Sequence, residues 1–194
     1  MKKYISLSVL FLVFSSFSFS QTRAVRKQLK KERIETAYSS TKELIESGTF
    51  QFEALWANPL GNDVANIGQN ISGGGAIFQG GRVDVSSNDN FVNVDGKKTD
   101  LFLPYFGRVF FPKRINNQGG IKYKGDITNY RIKINDDKQI ITIKFEAKTE
   151  NDYLKFSYRI NSGGSATLTI NSTNRQTISY TGDIKILNAD AKSN

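Results

Sequence analysis

The sequence predicts a mainly β protein, a single antiparallel β-sandwich or small β-barrel preceded by one N-terminal α-helix. Three observations carry this reading. From residue 49 onward, apolar residues alternate with polar ones at a period of two in successive runs. Turn-forming residues punctuate those runs about every 8–12 residues, the spacing of sandwiches and barrels. No helical pattern separates the runs, and alternation this clean buries one sheet face and wets the other, which excludes a parallel α/β sheet.

The chain opens with MKKYISLSVLFLVFSSFSFSQ. Lys2 and Lys3 precede an apolar run, Leu7 to Phe14, and small residues follow, with Ser18 and Ser20 suited to recognition by a signal peptidase. Residues 1–20 are therefore expected to be a signal peptide, cleaved near Ser20/Gln21, which places the product in the periplasm or outside the cell. The apolar run falls short of the roughly 20 residues that a membrane span needs. No later run reaches that length, so no transmembrane segment is expected in the mature chain. No cysteine follows the apolar run, which excludes a lipid anchor there.

Residues 21–48 read as a charged helix without internal proline or glycine. Val25, Leu29, Ala37, Thr41, Leu44 and Ile45 fall at mostly helical spacing, and Gly48 is a natural stop. Its first half, RAVRKQLKKER from Arg23 to Arg33, holds much of the excess of 27 Lys and Arg over 18 Asp and Glu. Such a run either is a solvated face or docks on an anionic surface. Nucleic acid is not an expected partner of an exported chain.

Residues 49–187 read as the antiparallel β domain. TFQFEALWA places Phe50, Phe52, Ala54 and Trp56 on one face, and NPLGND breaks the strand. Asn66 to Gly81 is Gly- and Asn-rich, either a loop or an irregular strand. Asp95-Gly96 reads as a type I′ hairpin turn. Further on, Tyr130, Ile132 and Ile134 point inward, as do Ile141, Ile143, Phe145 and Ala147 after the turn NDDK. The same pattern holds for Leu154, Phe156, Tyr158 and Ile160, then Ala166, Leu168 and Ile170, then Ile178, Tyr180, Ile184 and Ile186. Gly182 interrupts the last run and marks a bulge or bend. Residues 188–194 are expected to be a disordered tail.

With no histidine and no cysteine, the chain has no Ser-His-Asp triad, no thiol nucleophile and no structural zinc site of the ordinary kind. DGKKT, Asp95 to Thr99, lacks the glycine that a phosphate-binding loop requires five residues before Gly96; Phe91 stands there. Asp84, Asp89, Asp95 and Asp100 are carboxylates of the type that glycosidases pair, in a turn-rich context where aspartate is ordinary. SSNDN and NDD offer oxygen ligands without matching the twelve-residue calcium loop. No metal and no cofactor are expected, and no enzymatic activity.

The densest feature is LFLPYFGRVFFP, Leu101 to Pro112. Leu101 and Leu103 share one face, Pro104 ends the strand, Gly107 permits a change of direction through positive φ, and Val109 to Phe111 resume extended structure. The rings supply an aromatic wall, and Arg108 a cationic handle. SNRQTISYTGDI, with Arg175 and Tyr180, is expected to join it. The candidate ligand-binding residues are Tyr105, Phe106, Arg108, Arg175 and Tyr180; the alternative is a packed corner whose arginine holds backbone carbonyls of a neighbouring turn.

LIESGTFQFEA, LPYFGR, GGIKYKG and STNRQTISYTGDI, with the N-terminal signal and charged helix, resemble the domain-of-unknown-function family 4251 of secreted bacterial proteins. The resemblance runs from about residue 27 to 187 and implies location and fold, and no catalytic residues. Three functions are weighed: an exported non-enzymatic binding module for a small apolar or amphipathic ligand or an envelope partner; an interaction protein docking through its basic helix; and a carboxylate-dependent glycan or cell-wall hydrolase.

Overall fold

The structure, a computed structural model, describes residues 2–60, 78–79, 81–87, 90–111 and 120–187, with side chains from residue 23 onward and those of 78–79 excepted. A single helix, α1, runs Lys2–Glu46, and so starts well before the charged segment 21–48. The chain divides into two compact units, residues 1–37 and 38–194. Among the described residues no helix is long and apolar enough to cross a membrane.

In the first unit the basic turns of α1 are exposed, and Val25 and Leu29 are open to solvent with them, at 55% and 59%. Gln28 donates to Glu32 and Lys31 pairs with Glu35, both one turn apart. Exposed pairs of this kind contribute only a few tenths of a kcal/mol.

The second unit begins with the last turns of α1. Tyr38, Thr41 and Ile45 are buried at helical spacing; the sequence pattern pointed to Thr41 and Ile45 and missed Tyr38. Gly48, at φ +72°, ends the helix in the left-handed region that glycine enters freely. Tyr38 Oη and Lys42 Nζ donate to Asp136 Oδ1 at 2.8 and 2.9 Å. These bonds, that from Lys42 first, hold the Asp136 carboxyl below its usual range. A carboxylate depressed in the folded state adds stability above its unfolded pKa and loses that contribution as pH falls through the folded value. Asp136→Asn is expected to lower the melting midpoint at neutral pH and to converge with wild type in acid, which melting curves across that range check.

Eleven strands follow among the described residues: β1 (Thr49–Pro59), β2 (Phe78–Gln79), β3 (Arg82–Asp84), β4 (Phe91–Asp95), β5 (Lys98–Pro104), β6 (Gly120–Asp126), β7 (Thr128–Asn135), β8 (Ile140–Lys148), β9 (Tyr153–Asn161), β10 (Ser165–Ser172) and β11 (Ile178–Lys185). They form one antiparallel sheet in the order β6-β5-β4-β1-β11-β10-β9-β8-β7, with β2 and β3 paired beside β1. The two ends of this order, β6 and β7, are consecutive in the chain and separated by one residue, Ile127. In a flat sheet eight strand spacings would set them roughly 38 Å apart, whereas two peptide units reach only about 7 Å. The sheet therefore curls until its edges approach. It is a nearly closed, barrel-like sheet, which decides between barrel and sandwich.

The inward face is the one that alternation predicts for β8, β9 and β10, whose alternate residues from Ile141 to Ile170 are all buried. Rings fill much of the interior. Phe145 stacks on Phe156 at 4.7 Å and lies 5.9 Å from Tyr158, which meets Phe50 and Phe52 edge-on.

Several expectations are corrected. β1 continues through Asn58 and Pro59, beyond the break expected at NPLGND. A bulge between Ala54 and Trp56 inverts its alternation, so Ala57 is buried and Trp56 is half-exposed beneath Arg82, whose guanidinium carbon lies 4.3 Å from the ring centroid. The bulge lies in β1 and not at Gly182, which faces it: a Cβ on Gly182 would meet Glu53 O at 1.9 Å. Ile132, on the edge strand β7, and Ile186, beyond the end of β11, are exposed at 36% and 73%. The β4–β5 loop is Gly96-Lys97, and only Gly96 has positive φ, +62°, which matches type II′ and not I′. Most of the Gly-rich stretch, together with Asn88, Asp89 and residues 188–194, lies outside the described residues.

Candidate functional site

Pro104, which has no N–H for the ladder, is the last residue of β5, and residues 105–108 leave regular structure. The five sequence-predicted residues do not play equal parts at this corner. Tyr180, fully buried, donates through its hydroxyl to Pro104 O at 2.7 Å. The Tyr105 hydroxyl lies 2.8 Å from Arg108 O and 2.9 Å from Gln176 O, sharing its proton between the two carbonyls. Arg175 stacks over the Tyr105 ring at 5.4 Å and donates to Gly120 O at 2.7 Å. Burial raises the pKa of both phenols and lowers that of the Arg175 guanidinium. Phe106 is half-buried against the core.

Arg175 thus holds a neighbouring backbone carbonyl. Arg108 O accepts from Gln176 N at 2.9 Å, and Arg108 is exposed. Val109 forms an isolated bridge with Arg175, and Phe110 N donates to Asn174 O at 2.8 Å. No strand resumes at Val109 to Phe111, and Phe110 and Phe111 stand 55% and 51% exposed. Leu60, whose carbonyl accepts from the Gln176 side chain, is 61% exposed. Asp152 secures the turn beneath, accepting from Ser172 and Thr173.

Gly107 does not adopt positive φ; its role is space, because a Cβ there would lie 2.6 Å from the Tyr105 hydroxyl. The same device recurs at β6. Tyr123 donates to Asp126 O at 2.6 Å across Gly125, where a Cβ would meet its hydroxyl at 2.9 Å. The pattern Tyr-x-Gly occurs at 105–107, 123–125 and 180–182, a signal legible in the sequence and overlooked there.

The two fully buried tyrosines predict opposite outcomes. Tyr180→Phe strands the buried Pro104 carbonyl and is expected to cost about 1–3 kcal/mol. The Tyr158 hydroxyl is buried without a hydrogen-bond partner, so Tyr158→Phe is expected to be neutral or to add up to about 1 kcal/mol. Calorimetric melting of the two variants checks the contrast.

Among the described residues no cluster of three or more His, Cys, Asp or Glu could hold a metal ion. Asp84 accepts from Ser86 N and Oγ at 2.9 and 2.6 Å, which keeps its carboxyl below the usual range.

A family model described as "Domain of unknown function (DUF4251)" matches residues 32–184. Among solved structures the chain is similar to the crystal structure of a DUF4251 family protein from Bacteroides eggerthii DSM 20697, with a TM-score of 0.54 and 17% identity over 78% of this chain and 89% of that one. At that identity the likeness shows the fold alone. No curated protein matches the chain.

Proposed function

The chain belongs to the DUF4251 family, and from that premise we propose that it is an exported, non-enzymatic binding module that takes a small amphipathic ligand at its aromatic corner. The observation that carries this reading is the exposure of Phe110 and Phe111 on a segment whose backbone is bonded at Arg108 and Phe110 to residues 174–176. Neighbouring large apolar side chains left in solvent mark interaction surfaces, and a bonded segment presents them with little ordering cost. Arg108 supplies a cation beside the rings for an anionic head group. Tyr105, Arg175 and Tyr180 act beneath that surface, as the clasp that shapes it. The barrel interior is a less suitable site for an apolar ligand, because aromatic side chains occupy much of it.

Catalysis has less support. A hydrolase acid needs a carboxyl held above its usual range. Among the described residues, the carboxyls of Asp84, Asp136 and Glu146 are displaced downward, the opposite direction. The exposed Val25 and Leu29 among the basic residues of α1 favour the second reading, docking through the helix. Deletion of residues 23–33 tests it by loss of a co-purifying partner.

Native mass spectrometry of the protein purified from its host's periplasm tests export and the binding module at once. The expected result is the chain beginning near Gln21 with a retained small molecule. That molecule is lost in Phe110→Ser/Phe111→Ser while the melting midpoint holds. A bare chain, or a ligand unaffected by the substitutions, overturns the binding reading. A chain retaining residues 1–20 overturns cleavage.

A further inference from the structure

We infer that the free edge of β7 is a docking site for an extended segment of another polypeptide, one that alternates apolar and acidic residues and adds a strand to the sheet. β7 ends the strand order and pairs only with β8. Among the described residues no backbone hydrogen bond joins residues 128–135 to any other element. β6, one residue away in the chain, does not pair with it. An unpaired edge leaves the N–H and C=O of alternate residues as a template for a further strand. The side chains beside that template are apolar on the inside. Ile132 stands opposite Ile143 and Ile134 opposite Ile141, both fully buried, and Tyr130 stacks on Phe145. Yet Ile132 is 36% exposed, and Tyr130 and Ile134 are only half-buried. The core is thus incompletely covered along this edge, at the place a further strand would lie.

The charges on the outside choose the occupant. Arg131 and Lys133 alternate with the apolar residues of β7 and are exposed. Arg131 faces another cation, Lys144, across the ladder. Glu146, the carboxylate whose field reaches Arg131, is already bonded to Asn129 and paired with Lys155. On the other edge of the sheet, Lys122 and Lys124 are exposed as well. A second copy of the chain, bonded β7 to β7 in antiparallel register about Ile132, would set Arg131 against Lys133 twice over, and like charges directly opposite are unfavourable. Acidic residues opposite Arg131 and Lys133 make the same positions favourable, and apolar residues between and beside them cover Tyr130, Ile132 and Ile134. The pattern recognised is therefore apolar–acidic–apolar–acidic–apolar, with main-chain bonds supplying affinity and the alternate side chains specificity. The site is distinct from the aromatic corner and does not depend on it.

Two-dimensional NMR and amide hydrogen exchange test the assignment, with a capped nonapeptide alternating valine and glutamate as the probe. The expected result is saturable shifts along residues 130–134 and slowed exchange of alternate amides there, because an added strand takes up the donors that β8 leaves free. The same peptide with lysine for glutamate, or with alternate amides N-methylated, is expected to bind about tenfold or more weakly. Arg131→Glu/Lys133→Glu is expected to lower affinity for the glutamate peptide about tenfold and to raise that for the lysine peptide, since favourable cross-strand pairs become like-charged ones. Both positions are exposed, so the melting midpoint is expected to hold. Phe110→Ser/Phe111→Ser is expected to bind the peptide as wild type does, so the two sites stand or fall separately. The inference is overturned if no β7 amide gains protection, if the lysine or N-methylated peptide binds as tightly as the glutamate one, or if the double reversal leaves both affinities unchanged. Protection of these amides in the free protein, together with a concentration-dependent dimer, would assign the edge to a second copy and overturn it too.

Discussion

Gly182→Ala is expected to remove roughly 3 kcal/mol or more of stability, on the scale of severe single substitutions. The added methyl would sit 1.9 Å from Glu53 O and 2.9 Å from Ala54 Cα. Both obstacles are backbone, so no rotamer change relieves the overlap; β1 and β11 must separate where the bulge brings them together. For a domain of this size, about 2–4 °C accompanies each kcal/mol, which predicts a midpoint lower by roughly 6–12 °C. Gly163→Ala is the control. Its Cβ would meet nothing within 4 Å and its φ is not positive, so a shift no larger than about 0.5 kcal/mol is expected. A Gly182→Ala variant melting with the Gly163→Ala control would show that the close approach is not what holds glycine there.

Phe145→Ala is the second large effect, expected to cost about 3–5 kcal/mol. Its ring packs near three others, Phe156 at 4.7 Å, Tyr158 at 5.9 Å and Tyr130 at 6.2 Å, so truncation opens a void between side chains borne on the two flanking strands, β7 and β9. Neighbours on a hydrogen-bonded sheet cannot collapse into that void without breaking the ladder. Urea unfolding is expected to show a lower midpoint with an unchanged slope. Phe110→Ala, by contrast, removes a ring already 55% exposed, and is expected to change stability by no more than about 0.5 kcal/mol.

The barrel's inner face was legible because a side-chain period of two survives wherever the strand is regular. It failed at Trp56, Ile132 and Ile186 for three local reasons. A bulge slips the parity at Trp56, Ile132 lies on an edge strand, and Ile186 follows the last ladder residue. Closure was not legible in any run of residues; it follows from the single residue that separates β6 from β7, and strand limits are needed to see it. At the corner, the sequence brought Tyr105, Arg175 and Tyr180 to one place correctly. That Arg175 folds onto the Tyr105 ring was not legible, because composition cannot tell which guanidinium meets a ring.

β1 pairs on one side with β4 and on the other with β11, the last strand among the described residues. The other strands of the order form two local meanders, β4 to β6 and β7 to β11; the second zips through short links, whereas residues 105–119 join β5 to β6. Joining them requires residue 52 to find residue 184, a contact of high sequence separation and therefore slow to form. β1 cannot be flanked on both sides until residues 178–185 are available, so β11 is the strand on which closure of the sheet waits.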